Sequence, residues 1–361
     1  MAWVKPQVNR GRVDAAGDTL IREPTPGGEY AEALSRINNW RSSHAYPLQA
    51  LKMTLLHRAK KIDDEALVAQ RLKRLSSISL KLRRNPNMKL SQMQDIGGCR
   101  AVMKNIDDVE SLAAVYFADQ NRGRPDRSEF GKPYNYVETP KADGYRGIHF
   151  VYKYRSLSKE YQAFNGLRIE IQIRSRLQHA WATAVETVST FTGQALKSNI
   201  GEKDWKRFFA LMGSALAMRE RRPLVPGTPS NKVELIDELR ASAKRLGIEK
   251  KLATWSSAIV IAETERRRSM VDARAFLLVL NSEAKTIEVT AFKKDELRQA
   301  SEDYLLVETA TADKPEVQAV LVSVDSIAAL RSAYPNYYLD TRAFIDALRL
   351  AIGRPNAAPR P

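Results

Sequence analysis

Cysteine is almost absent from this chain of 361 residues: Cys99 stands alone, which excludes an intramolecular disulfide and a cysteine-rich zinc site. Long apolar runs are missing as well. The longest, such as SSAIVIA and AFLLVLN, fall far short of a bilayer span, and the opening MAWVKPQVNRGR has no continuous apolar core of the signal-peptide kind. No membrane is expected as a partner, and the expected location is cytoplasmic. Acidic charge is in deficit: 42 Asp and Glu face 58 Lys and Arg, a net charge of +16. That balance favours a polyanionic partner such as nucleotide or nucleic acid, although a merely basic soluble surface has the same composition.

The length accommodates two domains. Residues 1–29 are rich in Pro, Gly and charge without a sustained apolar period, which predicts a flexible lead-in. Apolar residues then recur at helical spacing in AEALSRINNWRSSHAYPLQALKMTLLHRAKKID and in DEALVAQRLKRLSSISLKLRRNP, the second run closed by Pro86. MQDIGGCRAVMKN reads as an extended segment, followed by a helix in DDVESLAAVYFADQ, where Asp107 and Glu110 have capping-box spacing. GYRGIHFVYKYRS and LRIEIQIRS alternate at period two. In the latter Leu167, Ile169, Ile171 and Ile173 face one side and Arg168, Glu170, Gln172 and Arg174 the other, predicting a half-buried sheet with one polar face. RLQHAWATAVETVSTFTG returns to helical period and ends at a glycine.

The Pro, Gly, Ser and basic content of RERRPLVPGTPSNK marks a linker at residues 221–231. Beyond it, residues 232–361 read as a smaller α+β unit. VELIDELRASAKRLG and KLATWSSAIVIAETERRR predict helices, AFLLVLN and TIEVTAF a hairpin, DELRQASEDYLLVE a helix, QAVLVSV a strand, and IAALRSAY and TRAFIDALRLAIG helices.

Chemistry-bearing residues gather in the first unit. Glu170 in mid-strand is by itself an ordinary solvated side chain. Asp95 opens a neighbouring candidate strand, however, and two carboxylates on one sheet face can hold Mg²⁺ and serve as a base. RLKRLSSISLK offers Arg71, Lys73, Arg74 and Lys81; Arg71, Arg74 and Lys81 share one side if the segment is a helix, as a phosphate grip or a wet face. PKADGYRGIH places Lys141, Arg146 and His149 around a glycine, with the Tyr145 ring available to stack on a base or to pack.

DIGGCRAV, PKADGYRGIH and IEIQIRSRLQHAWA together resemble the nucleotide pyrophosphokinase domain of the RelA/SpoT alarmone synthetases, and RLKRLSS resembles its ATP-binding segment. The resemblance runs in the family's order over about residues 40–220, inside a domain expected at 30–220. It implies an α+β fold with a nucleotidyltransferase-like mixed sheet flanked by helices. It also implies roles for these residues: Arg71, Lys73, Ser77 and Arg100 on ATP; Asp95, with Glu170, on Mg²⁺; Glu170 as the base toward an attacking hydroxyl; Lys141, His149 and Gln172 on the acceptor side; and Tyr145 stacked on the acceptor's base.

Two departures from the family pattern narrow that reading. Asp143 stands where synthetases that use guanosine nucleotides usually have Asn, placing a carboxylate near an acceptor's phosphates. None of the four histidines belongs to a His-Asp dipeptide, so the hydrolase domain of the long members is not expected. The chain is similar to the toxic small synthetases, which transfer pyrophosphate to the 3′ CCA end of tRNA. Arg58, Lys60, Lys61, Arg83 and Arg84 are then candidates for the tRNA backbone, each equally at home on a solvated helix face. In SAYPNYYLDTRAF the Tyr334 and Tyr337 pair resembles that of the fused toxin–antitoxin proteins called CapRel. There a C-terminal domain covers the ATP site until a phage capsid protein draws it away, and here the same residues serve equally as core aromatics. A small alarmone synthetase with an allosteric tail and a nucleotide-binding regulator without turnover are the other two readings.

Overall fold

The computed structural model describes residues 3–22, 28–120, 129–130, 133–195, 202–257, 260–262, 273–284, 286–311, 314, 316–323, 330 and 341–353. Tyr334 and Tyr337 lie outside the described residues.

Residues 10–21, expected in a flexible lead-in, form helix α1 (Arg10–Ile21). Asn9 caps it by accepting the Arg12 N–H at 3.0 Å, and Val13, Ala16, Gly17 and Leu20 are buried. Helices α2 (Gly28–Ser43) and α3 (Ala45–Ile62) follow as expected. Strand β1 (Leu67–Leu72) corrects the second predicted helix, whose helical part shrinks to α4 (Leu75–Arg84). The run LVAQRL satisfies either period, and pairing on both edges decides for the strand. Next come β2 (Gly97–Met103) and α5 (Ile106–Gln120). The α5 cap is Asn105, accepting the Asp108 N–H at 2.9 Å, whereas Glu110, expected in a capping box, holds Arg222.

Strands β3 (Glu129–Phe130), β4 (Tyr134–Asn135), β5 (Ile148–Lys153) and β6 (Arg168–Ser175) lead into α6 (Arg176–Ala195), which runs on past Gly193 rather than stopping there. Helices α7 (Glu202–Glu220), α8 (Lys232–Leu246) and α9 (Ile248–Ser257) precede β7 (Val260–Ala262), which replaces the end of a predicted helix. The hairpin β8 (Ala275–Asn281) and β9 (Thr286–Phe292), helix α10 (Leu297–Ala310), strand β10 (Val317–Ser323) and helix α11 (Arg342–Ala351) complete the described chain. No described helix is long and apolar enough to cross a membrane.

Among the described residues ten strands make one mixed sheet in the order β3-β5-β6-β2-β1-β10-β8-β9-β7, with β4 beside β5. β2 and β6 run parallel, while β1, β5 and β10 join their neighbours antiparallel. The C-terminal strands therefore extend the sheet of the first unit through a short joint, Gln70 opposite Ser323 and Arg71 opposite Val322. Ile169, Ile171 and Ile173 are fully buried beneath α3 and α5, each contributing roughly 1.5–3 kcal/mol. A second core joins α6, α7, α8, α9 and α11 around Trp181, Phe208, Phe209 and Phe344.

The second core grips the loop ahead of β5. Gly144 has φ +97°, and a Cβ there would lie 2.5 Å from the Phe209 carbonyl oxygen and 2.9 Å from the Trp181 ring. Gly144→Ala is expected to cost about 1–3 kcal/mol through backbone strain alone, and more through the clash. Urea unfolding checks this, and an unchanged midpoint would show that the loop is not seated on α7.

Burial also sets a pH limit on stability. His44 is 1 % exposed, and burial outweighs its hydrogen bond to the Trp40 carbonyl, moving its pKa from 6.5 down to about 4. Between those values the unfolded chain binds a proton that the folded one does not. Stability is therefore full above pH 6.5 and falls as the pH drops toward 4, by roughly 3 kcal/mol in all. In His44→Gln the decline over this window should flatten in denaturant titrations at successive pH values.

Candidate active site

The parallel register of β2 and β6 sets Gly98 beside Glu170 and Arg100 beside Gln172. Antiparallel β1 places Arg71 opposite Gly98 and Ala69 opposite Arg100, and β5 brings His149 opposite Gln172. Side chains that pair across strands rise on the same face, so Arg71, Glu170, Arg100, Gln172 and His149 share the face away from the isoleucines. Arg71, Arg100, Glu170 and Gln172 line a cavity of about 90 Å³ together with Lys73, Asp95, Arg174 and Glu186. Gly98 keeps its floor low: a Cβ there would meet nothing nearer than the Glu170 carbonyl oxygen at 3.9 Å. A larger hollow of about 410 Å³ beside α5 lies apart from these residues, and there Arg222 is engaged by Glu110.

Both Asp95 oxygens are held, one by Lys73 Nζ at 2.7 Å and the other by Lys81 Nζ at 2.9 Å. Burial alone would push the Asp95 carboxyl up, and the two ammonium groups more than reverse it, so the group stays below its ordinary range. Glu170 is held similarly. Its Oε1 accepts from His149 Nδ1 at 2.8 Å and its Oε2 from Gln172 Nε2 at 2.6 Å. Burial, joined by the nearby Asp95 charge, raises the Glu170 carboxyl, and its hydrogen bonds and attraction to His149 overcome both, leaving it below its usual value.

The other ring nitrogen of His149 is hydrogen-bonded to the Tyr145 hydroxyl, which also receives Arg174 Nε at 3.1 Å. Burial keeps the Tyr145 phenol protonated by lifting its pKa, against the opposing charge of Arg174. Asp143 shapes the loop by accepting the Tyr145 N–H at 2.9 Å, a bond that an Asn would make equally while adding no charge. Lys141 Nζ lies 5.2 Å from the Tyr145 ring centroid.

The structure thus gathers Arg71, Lys73, Asp95, Arg100, Glu170 and Gln172 around one cavity. His149 joins them through its bond to Glu170 and Tyr145 through its bond to His149, and Ser77 sits half-buried in the first turn of α4. Arg71 reaches the cavity from a strand, not from the helix face it was to share with Arg74 and Lys81. The five cations named for a polyanion backbone stay outside. Arg58 pairs with Asp119 and Lys60 bonds the Asp64 carbonyl, while Lys61, Arg83 and Arg84 are exposed near the ends of α3 and α4. Arg174 was legible in the alternation of β6. Tyr136, whose ring meets His149 at 5.4 Å, had no such signal because it follows a strand of two residues.

The residues suit Mg²⁺. Two carboxylates flank a floor left open by glycine, and their mutual repulsion is visible in the effect of Asp95 on Glu170. Asp95 and Glu170 would hold the ion, with its other ligands from nucleotide phosphates and water.

C-terminal residues close in on the segment Lys73–Leu75 beside this cavity. Glu308 Oε2 accepts from buried Arg41 at 2.6 Å, and its Oε1 caps α4 by accepting the Leu75 N–H at 2.6 Å. Tyr304 bonds both Arg41 and Glu308, and Arg41 Nε donates to the Lys73 carbonyl at 3.0 Å. Gln318 of β10 accepts from Arg74 at 2.7 Å and donates to Thr190 of α6 at 3.2 Å, tying the start of α4, β10 and α6 together.

Comparisons with known proteins meet this same stretch. Residues 70–192 match the family described as the region found in RelA/SpoT proteins. The chain is 32 % identical over 120 residues to the GTP pyrophosphokinase YjbM of Bacillus subtilis (strain 168), a match that covers 32 % of this chain and 52 % of that protein, about half its length. Among solved structures, small alarmone synthetase 1 from Bacillus subtilis bound to pppGpp is 24 % identical, with a TM-score of 0.39, over 54 % of this chain and 94 % of that one. A GTP pyrophosphokinase family protein from Streptococcus pneumoniae is 22 % identical, with a TM-score of 0.39, over 60 % of this chain and 97 % of that one. All the cavity-lining residues except Ala69 therefore fall within residues 70–192, the stretch that matches the RelA/SpoT region.

Proposed function

We propose that this chain is an ATP-dependent pyrophosphokinase that transfers pyrophosphate to the 3′ end of tRNA. In this reading its own C-terminal segment holds it inactive until a phage protein, a capsid protein, draws that segment away. The observation that carries the catalytic part is the convergence of a cation set, Arg71, Lys73 and Arg100, with the carboxylates Asp95 and Glu170 on one sheet face. Phosphoryl chemistry asks a protein mainly for positioning and charge stabilisation, and this face supplies both.

Arg71, Lys73, Ser77 and Arg100 hold the ATP phosphates. Tyr145, Lys141, His149 and Gln172 orient the acceptor. Glu170 takes the proton of the acceptor hydroxyl, whose oxygen bonds to the β-phosphorus as the bond to the α-phosphate oxygen breaks and AMP leaves. Bound Mg²⁺ supplies charge neutralisation at the polyphosphate. Because its pKa lies below the usual range, Glu170 is ionised at neutral pH and able to accept. An incoming hydroxyl that replaces the bond from Gln172 or His149 makes it a stronger base.

The tRNA acceptor draws support from the net charge of +16 and from Asp143, whose exposed carboxylate at the loop repels the phosphates of a mononucleotide. A small alarmone synthetase making guanosine or adenosine 3′-pyrophosphates is the second reading, favoured by the 32 % identity to a GTP pyrophosphokinase. Labelled ATP offered with bulk tRNA, GDP, GTP and ADP separates the two, since counts on tRNA that vanish when its 3′ end is blocked support the first and counts on a mononucleotide the second. Glu170→Gln should lower transfer by about 10²–10⁴-fold with ATP binding nearly intact. Equal loss of both would remove Glu170 from the role of base.

Restraint by the C-terminal segment draws support from where it is attached: Gln318 bridges Arg74 to Thr190, and Glu308 caps α4 and holds Arg41, which donates to the carbonyl of the cavity residue Lys73. Gln318→Ala should raise ATP affinity and transfer by the full chain without any trigger, as should Tyr334→Ala combined with Tyr337→Ala. If both variants fold, bind ATP no better than wild type and remain harmless on expression, the segment is not an inhibitor.

A further inference from the structure

The sheet face that carries Glu170 continues past the acceptor loop onto β4, where three tyrosine rings follow one another. Tyr145 and Tyr136 meet edge to face, with centroids 5.8 Å apart at 73°. Tyr136 and Tyr134 lie nearly parallel, 6.0 Å apart at 15°. The backbone sets this order. Tyr134 pairs with His149 across β4 and β5, so its side chain rises on the face of His149 and Gln172, and Tyr136, two residues on, is tied by its N–H to the Gly147 carbonyl at 2.9 Å.

These rings are not core. Tyr134 and Tyr136 are half-buried and, among the described residues, belong to none of the four apolar clusters around Trp181, Ile171, Ile78 and Leu277. A cation accompanies them instead: Lys141 Nζ stands 4.3 Å from the Tyr136 centroid and 5.2 Å from that of Tyr145. Aromatic rings in series beside a basic side chain are how proteins hold single-stranded nucleic acid, one ring per base with the cation on the backbone. A mononucleotide brings one base, which Tyr145 would serve; further rings gain contact only from an acceptor with further bases.

We propose that Tyr134 and Tyr136, with Lys141, form a stacking track for the single-stranded 3′ end of an RNA acceptor, the bases preceding the terminal one resting on Tyr136 and then Tyr134. This rests on the reading that the acceptor hydroxyl lies at Glu170, and it deepens that reading by making the acceptor a polynucleotide. β4 lies along the outer edge of β5, the edge that β3 also pairs with, and the net charge of +16 favours an RNA backbone there.

The test uses the full chain and a fluorescently labelled RNA oligonucleotide ending in ACCA, with ADP and GDP as mononucleotide probes. Tyr134→Ala should weaken oligonucleotide binding by about 5- to 150-fold. Tyr134→Phe, which keeps the ring, should stay within about twofold of wild type, and neither variant should alter ADP or GDP binding. Equal oligonucleotide affinity in Tyr134→Ala and wild type overturns the track, as does an equal loss for mononucleotides, which would mark Tyr134 as a prop for the centre. If the track fails while labelled ATP still modifies tRNA, the proposed function stands alone. If wild type neither binds the oligonucleotide nor labels tRNA, both fall.

Discussion

The parallel pairing of β2 with β6 is the constraint on which the candidate centre depends. Only in that register does Gly98 lie beside Glu170 and Arg100 beside Gln172. A slip of one residue would turn every polar side chain of β6 into the isoleucine core. Burial of Ile169, Ile171 and Ile173 therefore does more than stabilise the sheet, because it forbids the alternative register and so aims Glu170 at the cavity. The antiparallel neighbours then add what β2 and β6 lack, Arg71 from β1 and His149 from β5.

Charge balance explains why so many ionisable groups tolerate this crowding. Asp95 and Glu170 repel each other, and each is kept ionised by partners of its own, two lysines for Asp95 and His149 with Gln172 for Glu170. In the proposed function, phosphate would compete for the same lysines, so its binding would be an exchange of ion pairs rather than the creation of new ones, limited in net strength and sensitive to salt.

The C-terminal segment is attached where that exchange would be felt. β10 extends the sheet from β1, Glu308 caps the helix that begins next to Lys73 and Arg74, and Arg41 ties Glu308 to the Lys73 carbonyl. Arg41 is 1 % exposed, so the pair is costly to break from one side alone, at about 3–5 kcal/mol. The segment carrying Arg71, Lys73 and Arg74 is therefore mechanically shared between the two parts of the chain.

Alternation at period two was enough to read β6, its buried isoleucines and the polar face with Glu170, because a strand with one face in the core must write that pattern into its residues. The resemblance of DIGGCRAV, PKADGYRGIH and IEIQIRS to the RelA/SpoT pattern, not their periodicity, implied which residues would meet. Other features were not legible. LVAQRL fits helix and strand alike, and only hydrogen bonds from β2 and β10 made it a strand. Helix α1 has a weak apolar pattern and became ordered through packing on α2 and α4. Glu308 reaches Arg41 across 267 positions, and Tyr134 and Tyr136 reach the centre from a strand of two residues. Local pattern determined which faces of this protein are apolar and which residues can do chemistry; which of them stand together was decided by long-range pairing, whose partners leave no periodic mark on the chain.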